Sequence, residues 1–421
     1  MKKRLREQRA IFYSVFRWVI LATFIGIVVG MSTAIFLTAL NKTTLIVRQN
    51  ARYFLLLPCA LFLSWFIIKK FAPDAKGHGT EKVIEAIHKK AGVIKLAVVP
   101  VKLVATVITI AFGGSAGKEG PCAQIGAGLA SAFGRLFKFD DYDRKKLVIC
   151  GISAGFASVF GTPIAGAIFG VEVLFIGSIL YDVILPSFIA GIISYNVSAA
   201  FGIKYFTYPI ELMPAFGKTI FVEVILSGVF FGLCAFFLIE MLSLGRYLAS
   251  RIKLKEWLKT VMGGLLLITI TLLFSDKYLG LGINTIESSL GGATVPWYAF
   301  ILKTITTSIT LNFGGSGGIV TPIFFIGATA GSIFAKIFSL NTILFASIGL
   351  VAVLAGAANT PIAASIMAIE LFGPQIAPYA AIACVISFFI TGHRSVYPSQ
   401  VLGIRKSRYL NVKLGQEVEK S

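Results

Sequence analysis

The chain has 421 residues, 56% of them hydrophobic, with a mean hydropathy of +0.85 and a formal net charge of +20. Hydropathy of that size at this length excludes an ordinary soluble domain and indicates an all-α, polytopic membrane protein whose first partner is the lipid bilayer. The charge does not indicate nucleic acid, because the basic residues gather at the ends of apolar runs: Lys2, Lys3, Arg4, Arg6 and Arg9; Arg246, Arg251, Lys253, Lys255 and Lys259; Arg394, Arg405, Lys406, Arg408 and Lys413. That pattern places all three clusters on the cytoplasmic side, requires an even number of crossings, and predicts a multi-pass protein of the inner (plasma) membrane.

Residues 1–10 form the basic start. Ile11–Leu40 follows as a first apolar run, about twice the length of a signal-peptide core, and is expected to stay as a helix. As one helix it would measure about 45 Å, more than the roughly 30 Å hydrocarbon core, so it tilts or projects. Arg52–Phe71 is a second span, Pro73–Thr80 a polar loop, and Glu81–Lys90 a helix too short to cross, apolar at Val83, Ile84 and Ile87. Val93–Phe112 leads into Gly113–Pro121, GGSAGKEGP. The runs beyond it, Cys122–Phe137, Leu147–Phe160 and Ile164–Ile176, are short or broken by Gly and Pro. Asp140–Lys146 is expected to be a solvated connector. Tyr181–Phe201 and Thr219–Leu242 are further spans, separated by an irregular stretch, Gly202–Lys218. The expected organisation is a first membrane half over 11–245, a basic connector over 246–259, a second half over 260–391, and a tail over 392–421 too short for a regulatory domain.

The chain repeats itself. KLVATVITIAFGGSAGK at 102–118 returns as KTITTSITLNFGGSGGI at 303–319, and QIGAGLAS at 124–131 as FIGATAGS at 325–332. After a three-residue deletion GTPIAGAIFGVEVLF at 161–175 returns as NTPIAASIMAIELF at 359–372. Upstream, GHGTEKVIE at 77–85 meets GLGINTIE at 280–287. The repeats thus cover about 77–175 and 280–373. A duplicated helix pair used only for packing would not need its loops at identical places within apolar sequence. Broken helices in corresponding positions of two halves point instead to a transport site near the membrane midplane.

The chemistry follows from the breaks. Backbone unwound at membrane depth must line a cavity or bind something. A glycine-rich turn feeding a helix that begins at Pro121 or Pro322 aims unpaired N–H groups, and the positive end of a helix dipole, at an anion. Two such turns facing each other hold a small dehydrated anion without a full positive charge, which would bind it too tightly for turnover. The repeat breaks at Glu119, whose partner is Val320. A carboxylate placed where anions bind can occupy the site itself and leave it when protonated, so one residue serves as gate and proton carrier. The plainer reading of Glu119 is a helix N-terminal acid, worth about 0.3–1 kcal/mol; the second helix manages without one. Lys118 either raises the local potential or pairs with an acid.

The five cysteines lie in apolar segments without ligand spacing, so they are packing residues, and no metal or cofactor is expected. An enzyme would need a triad, a metal cluster or a nucleotide loop. GGSAGK lacks the phosphate-loop spacing and is followed by Glu119 rather than Ser or Thr. An unrelated inverted-repeat carrier of an organic anion would need paired arginines, and Arg17, Arg52, Arg135 and Arg144 lie outside the repeated loops, unpaired in sequence.

GKEGP after GGSAG, the repeated GTPIAG/NTPIAA, GGIVTP at 317–322 and HRSVYPSQ at 393–400 together resemble the CLC family of anion channels and anion/proton antiporters, from about Ile11 to Leu402. The resemblance implies two inverted-topology halves of tilted and broken helices, and a homodimer with a pore in each subunit. It implies that Glu119 is the gating glutamate and that Lys118 and Gly120 belong to the loop lining the outer site. Gly318, Ile319, Val320 and Thr321 match the loop whose amides hold the central anion, and Tyr397 matches the tyrosine closing the inner side. Three departures matter. His78 stands where chloride-carrying members usually have serine, Val173 where proton-coupled chloride members have a second acid, and Thr321 where a small apolar residue is common. With the short chain, these resemble the branch of bacterial members that export fluoride against protons. The expected function is a fluoride/proton antiporter; a chloride/proton antiporter or chloride channel of the same family is the alternative. His78 is either a local hydrogen-bonding group or part of the anion site, and His88 is peripheral.

Overall fold

Length and apolarity decide which segments become long helices. A computed structural model describes residues 2–210, 217–409 and 411–418. In chain order its helices are α1 (Lys2–Arg48), α2 (Leu57–Phe71, entered through a 3-10 turn at Tyr53–Leu56), α3 (Thr80–Lys89), α4 (Val98–Ala111), α5 (Glu119–Leu136), α6 (Asp141–Phe160), α7 (Pro163–Glu172) and α8 (Tyr181–Ala200). After the irregular segment come α9 (Lys218–Arg251), α10 (Glu256–Leu273), α11 (Ile283–Leu290), α12 (Ala299–Asn312), α13 (Val320–Ile337), α14 (Thr342–Ala358), α15 (Pro361–Phe372) and α16 (Ala377–Ile390). Strand β1 (Phe175–Ile176) pairs in parallel with β2 (Val401–Leu402), which ties the tail to the first half. Six of the described helical segments are long and apolar enough to cross a membrane.

The packing is duplicated helix by helix. α5 lies on α6 as α13 lies on α14, α1 on α8 as α9 on α16, α4 on α5 as α12 on α13, and α3 on α5 as α11 on α13. Three pairs among the described helices join the halves across the axis that relates them: α2 with α10, α7 with α15 and, at their starts, α5 with α13. Glycines set the closest crossings: a Cβ at Gly126 would strike the Gly151 carbonyl, and one at Gly327 the Gly349 carbonyl. Because α9 takes the place in the second half that α1 has in the first, we place the boundary between halves ahead of α9, not at 246–259. That basic stretch is helical through Arg251, and only 252–255 separates α9 from α10.

Other expectations also shift. Asp140–Lys146 is not a solvated connector: Asp140 caps α6 by accepting the Asp143 amide at 2.8 Å, and acids at the first turn are what a helix start favours. Asp143 pairs with Arg17 of α1 at 2.6 Å and Lys146 with Asp182 of α8 at 2.8 Å, so this turn binds three helices together. The basic start is continuous with α1 rather than separate from it. α3 buries Val83, Ile84 and Ile87 as its pattern predicts. In the irregular stretch, the amides of Tyr208 and Ile210 bond carbonyls of Leu371 and Phe372. Its residues 211–216 lie outside the described residues, as do Met1, Leu410 and 419–421 of the two ends.

Candidate functional site

The two repeated loops meet face to face. Gly117 N–H donates to the Gly318 carbonyl at 2.7 Å, and Gly318 N–H to the Gly117 carbonyl at 2.6 Å, in an antiparallel bridge. These two residues are equivalent in the repeat. Equivalent residues exchange both bonds when a two-fold axis passes between them, so the bridge marks the axis of the inverted repeat. The surrounding hydroxyls obey the same symmetry. Thr106 bonds Ser316 at 3.0 Å and Thr307 bonds Ser115 at 2.9 Å; the Ser115 amide donates to Thr310 and the Ser316 amide to Thr109, each at 3.0 Å. These contacts satisfy backbone that the unwound loops would otherwise leave unpaired at depth.

From this bridge α5 and α13 start. Neither begins at its proline. α5 starts at Glu119 and α13 at Val320, with Pro121 and Pro322 in the first turn, where a missing N–H leaves no intrahelical bond unmade. The Glu119 side chain turns across the axis to the partner helix. Its Oε1 accepts the Val320 amide, and its Oε2 accepts the Thr321 hydroxyl at 2.8 Å. The carboxylate is 1% exposed and lies so close to both bridge glycines that a Cβ at Gly117 or Gly318 would collide with it. The N-terminus of α13 therefore holds an anionic group, and the chain itself supplies it.

The remaining predicted residues sort by this geometry. Gly120 packs on the His78 carbonyl with no room for a Cβ, so the 77–80 turn and the start of α5 are one wall. The Gly318 amide, expected to face an anion, is used in the bridge instead. Ile319 caps α13 with a buried apolar side chain and accepts the Ile323 amide at 3.0 Å. Lys118 forms no ion pair among the described residues; Glu119 has turned away to α13, which favours the first of its two sequence readings. The His78 ring stands 5.6 Å from the Tyr397 ring, and its Nδ1 is buried without a hydrogen-bond partner among the described residues. Tyr397 is fully buried, with its amide on the Ser395 hydroxyl at 2.9 Å. Its hydroxyl lacks a well-formed hydrogen bond; Thr80 is beside it, and both Glu119 and Glu81 act on it electrostatically. Below this layer a cavity of about 1060 Å³ opens, with His78, Glu81, Arg246, Arg394 and Ser399 on its wall.

Sequence reasoning passed over four charged residues. Lys102 and Lys303, equivalent in the repeat, are both fully buried. Lys102 donates to the carbonyls of Ala75 and Gly77, Lys303 to those of Tyr278 and Gly280, so each lysine fixes the turn that precedes α3 or α11. Their register in the repeat was the available signal. Glu172 and Glu370 form a reciprocal pair of caps. Glu172 accepts the amides of Ile362 and Ala363 at the start of α15, and Glu370 those of Ile164 and Ala165 at the start of α7. Val173 is fully buried with an apolar side chain; its amide donates to the Phe169 carbonyl at 2.9 Å and its carbonyl accepts Gln400 Nε2 at 2.8 Å.

Two interlocked helical halves, joined by loops whose helix N-termini meet around a buried carboxylate, define a membrane transporter for small anions. The model of the family described as voltage gated chloride channel matches residues 59–392, and the chain belongs to this family, the CLC family. It is 39% identical, over 96% of its length and 91% of the relative's, to a "Chloride/fluoride channel protein" of Pseudomonas syringae pv. tomato. It is 28% identical, over 80% of its length and 82% of the relative's, to a "Voltage-gated ClC-type chloride channel ClcB" of Shigella flexneri. Among solved structures, a "CLC-type fluoride/proton antiporter" superposes with a TM-score of 0.89 at 28% identity, covering 93% of this chain and 99% of that one.

Proposed function

We propose that the protein is a fluoride/proton antiporter of the inner membrane, and that Glu119 is both its gate and its proton carrier. The observation that carries the reading is the Glu119 carboxylate seated on the Val320 amide and the Thr321 hydroxyl. An anion arriving at the start of α13 needs those same donors, so anion and carboxylate exclude one another. Protonation removes the charge that holds Glu119 there, and the neutral side chain leaves the donors to the anion. Each exchange then moves an anion one way and a proton the other.

Fluoride is supported by the hydroxyl of Thr321, by the absence of a serine hydroxyl at His78 and of a second acid at Val173, and by the relatives named for fluoride. A small, strongly hydrated anion needs hydrogen-bond donors close around it, and amides with a hydroxyl provide them. In the proposed cycle Tyr397 and His78 border the inner side of the anion, Lys118 and Gly120 the outer side, and Gly318 and Ile319 shape the loop. Exposed apolar residues on α7, α8, α15 and α16, among them Ile164, Ile192, Ile362 and Val385, supply the face on which a second copy would pack as a homodimer. Chloride/proton exchange or a chloride channel of the same fold is the second reading, favoured by the chloride-named relatives.

The test is anion efflux from proteoliposomes loaded with fluoride or with chloride while external pH is recorded. Fluoride efflux with stoichiometric proton uptake and little chloride movement is expected. Rapid chloride efflux would overturn the fluoride assignment, and anion efflux without protons would overturn antiport.

A further inference from the structure

The repeat leaves about four turns at the start of α1 without a role. Gly26 and Gly30 of α1 meet Ile193 and Val197 of α8, and Gly228 and Gly232 of α9 meet Ile386 and Ile390 of α16 in the same way. That register sets Lys218, the first residue of α9, opposite Phe16, so residues 2–15 have no counterpart in the second half. Every position from 3 to 16 is exposed. Arg17 is the first anchored residue, bound to Asp143 at the start of α6 at 2.6 Å, and Trp18 behind it is buried. The arm ahead of Arg17 therefore extends about 22 Å past the body of the protein. The rest of α1, Arg17–Arg48, measures about 48 Å and crosses the membrane without it.

The arm has two kinds of surface. Leu5, Phe12 and Phe16 lie on one side of the helix and run on into Ile20, Phe24 and Ile27, which the spanning part turns outward. One unbroken stripe at helical spacing meets one surrounding, so the apolar side of the arm belongs to lipid as the span does. Lys3, Arg4, Arg6 and Arg9 flank or interrupt the stripe, and Glu7 is the one acid between 3 and 16. Basic side chains beside an apolar stripe keep their stems in the interface and extend their charges to phosphates, and an aromatic such as Tyr13, 73% exposed, suits the same depth. We propose that residues 3–16 are a binding surface for the anionic phospholipids of the cytoplasmic leaflet, with α1 inclined so that the stripe lies in the headgroup layer and the four basic side chains hold headgroup phosphates. A second copy of the chain fits less well, because it would set one basic arm against an equally basic surface. A basic start that only oriented the chain during insertion would be indifferent to the charge of the lipid afterwards.

The test is hydrogen exchange at the amides of residues 5–15, on the full-length protein in nanodiscs of phosphatidylcholine alone or of phosphatidylcholine mixed with phosphatidylglycerol. Exchange should be slower by roughly tenfold or more in the mixed discs, and the protection should fade as salt is raised. A protein carrying Lys3→Gln, Arg4→Gln, Arg6→Gln and Arg9→Gln together should exchange alike in the two kinds of disc and keep the wild-type Tm. Equal exchange of the wild type in both discs would overturn the proposal, whether the arm is then open to water, sunk in neutral lipid or packed on a second copy. Protection that salt does not weaken would also overturn it, because the phosphates would not be what holds the arm. Inorganic phosphate that protects the arm equally well in phosphatidylcholine discs would overturn the lipid as the source of the anion. These three outcomes are read on the wild type, so they decide the matter even if the fourfold variant fails to fold.

Discussion

The loop at 117–121 and the loop at 318–322 have the same backbone course, the same bridge, and the same proline in the first turn, yet they do different work. The first carries Lys118 and Glu119; the second carries Ile319 and Val320. Symmetry builds the container, because each loop completes the other's hydrogen bonds. Asymmetry is what the proposed function draws on, because one half contributes a carboxylate and the other the amide and hydroxyl that receive it. If both loops carried an acid, two like charges about 4 Å apart in a low-dielectric site would repel by several kcal/mol. If neither did, the proposed coupling of anion to proton would have no carrier.

The largest expected effect comes from erasing the difference. Glu119→Gln should abolish proton uptake in liposome assays while leaving the fold intact, since the Gly117–Gly318 bridge and the hydroxyls around it, not Glu119, hold the two loops together. Next is Thr321→Val, which removes the hydroxyl from the carboxylate. A hydrogen bond to a charged group contributes about 1.5–3 kcal/mol, so the closed arrangement should weaken by roughly tenfold or more, read as fewer protons moved per anion. Smaller effects should follow where the halves are alike. Lys102→Met and Lys303→Met each leave two buried carbonyls unpaired, at a cost of about 1–3 kcal/mol apiece, and should lower the Tm in detergent by similar amounts. Lys102→Met should also slow transport, because its turn carries His78 against Gly120. The smallest are the reciprocal caps: Glu172→Gln and Glu370→Gln should each cost about 0.5–2 kcal/mol and match one another. A large mismatch between them would break the symmetry argument.

Much of the architecture was legible because the repeat carries its glycines and prolines in register, and because lipid forces unwound loops to meet a partner. Glu119 was legible as the place where the copies disagree. The boundary between halves was not, since α9 continues through the basic cluster that resembles a connector, and the helix matching it, α1, shares no obvious sequence with it. The start of α6 was misjudged because an acidic turn looks alike whether it is solvated or capping. The Gly318 amide was expected at an anion on the resemblance alone, and sequence does not show that it bonds across an axis. Glu370 lies in the last turn of α15, where nothing in the sequence marks it out, and only the fold shows that it caps α7.

The central claim is that carboxylate and anion compete for the N-terminus of α13, and fluoride binding measured by calorimetry on purified wild type and Glu119→Gln between about pH 6 and pH 8 tests it most directly. Wild type should take up a proton with each fluoride and bind it more tightly as pH falls; the variant should bind at least tenfold tighter at the upper pH and show no proton uptake. Equal affinity in the two proteins, with the same pH dependence, would contradict the claim.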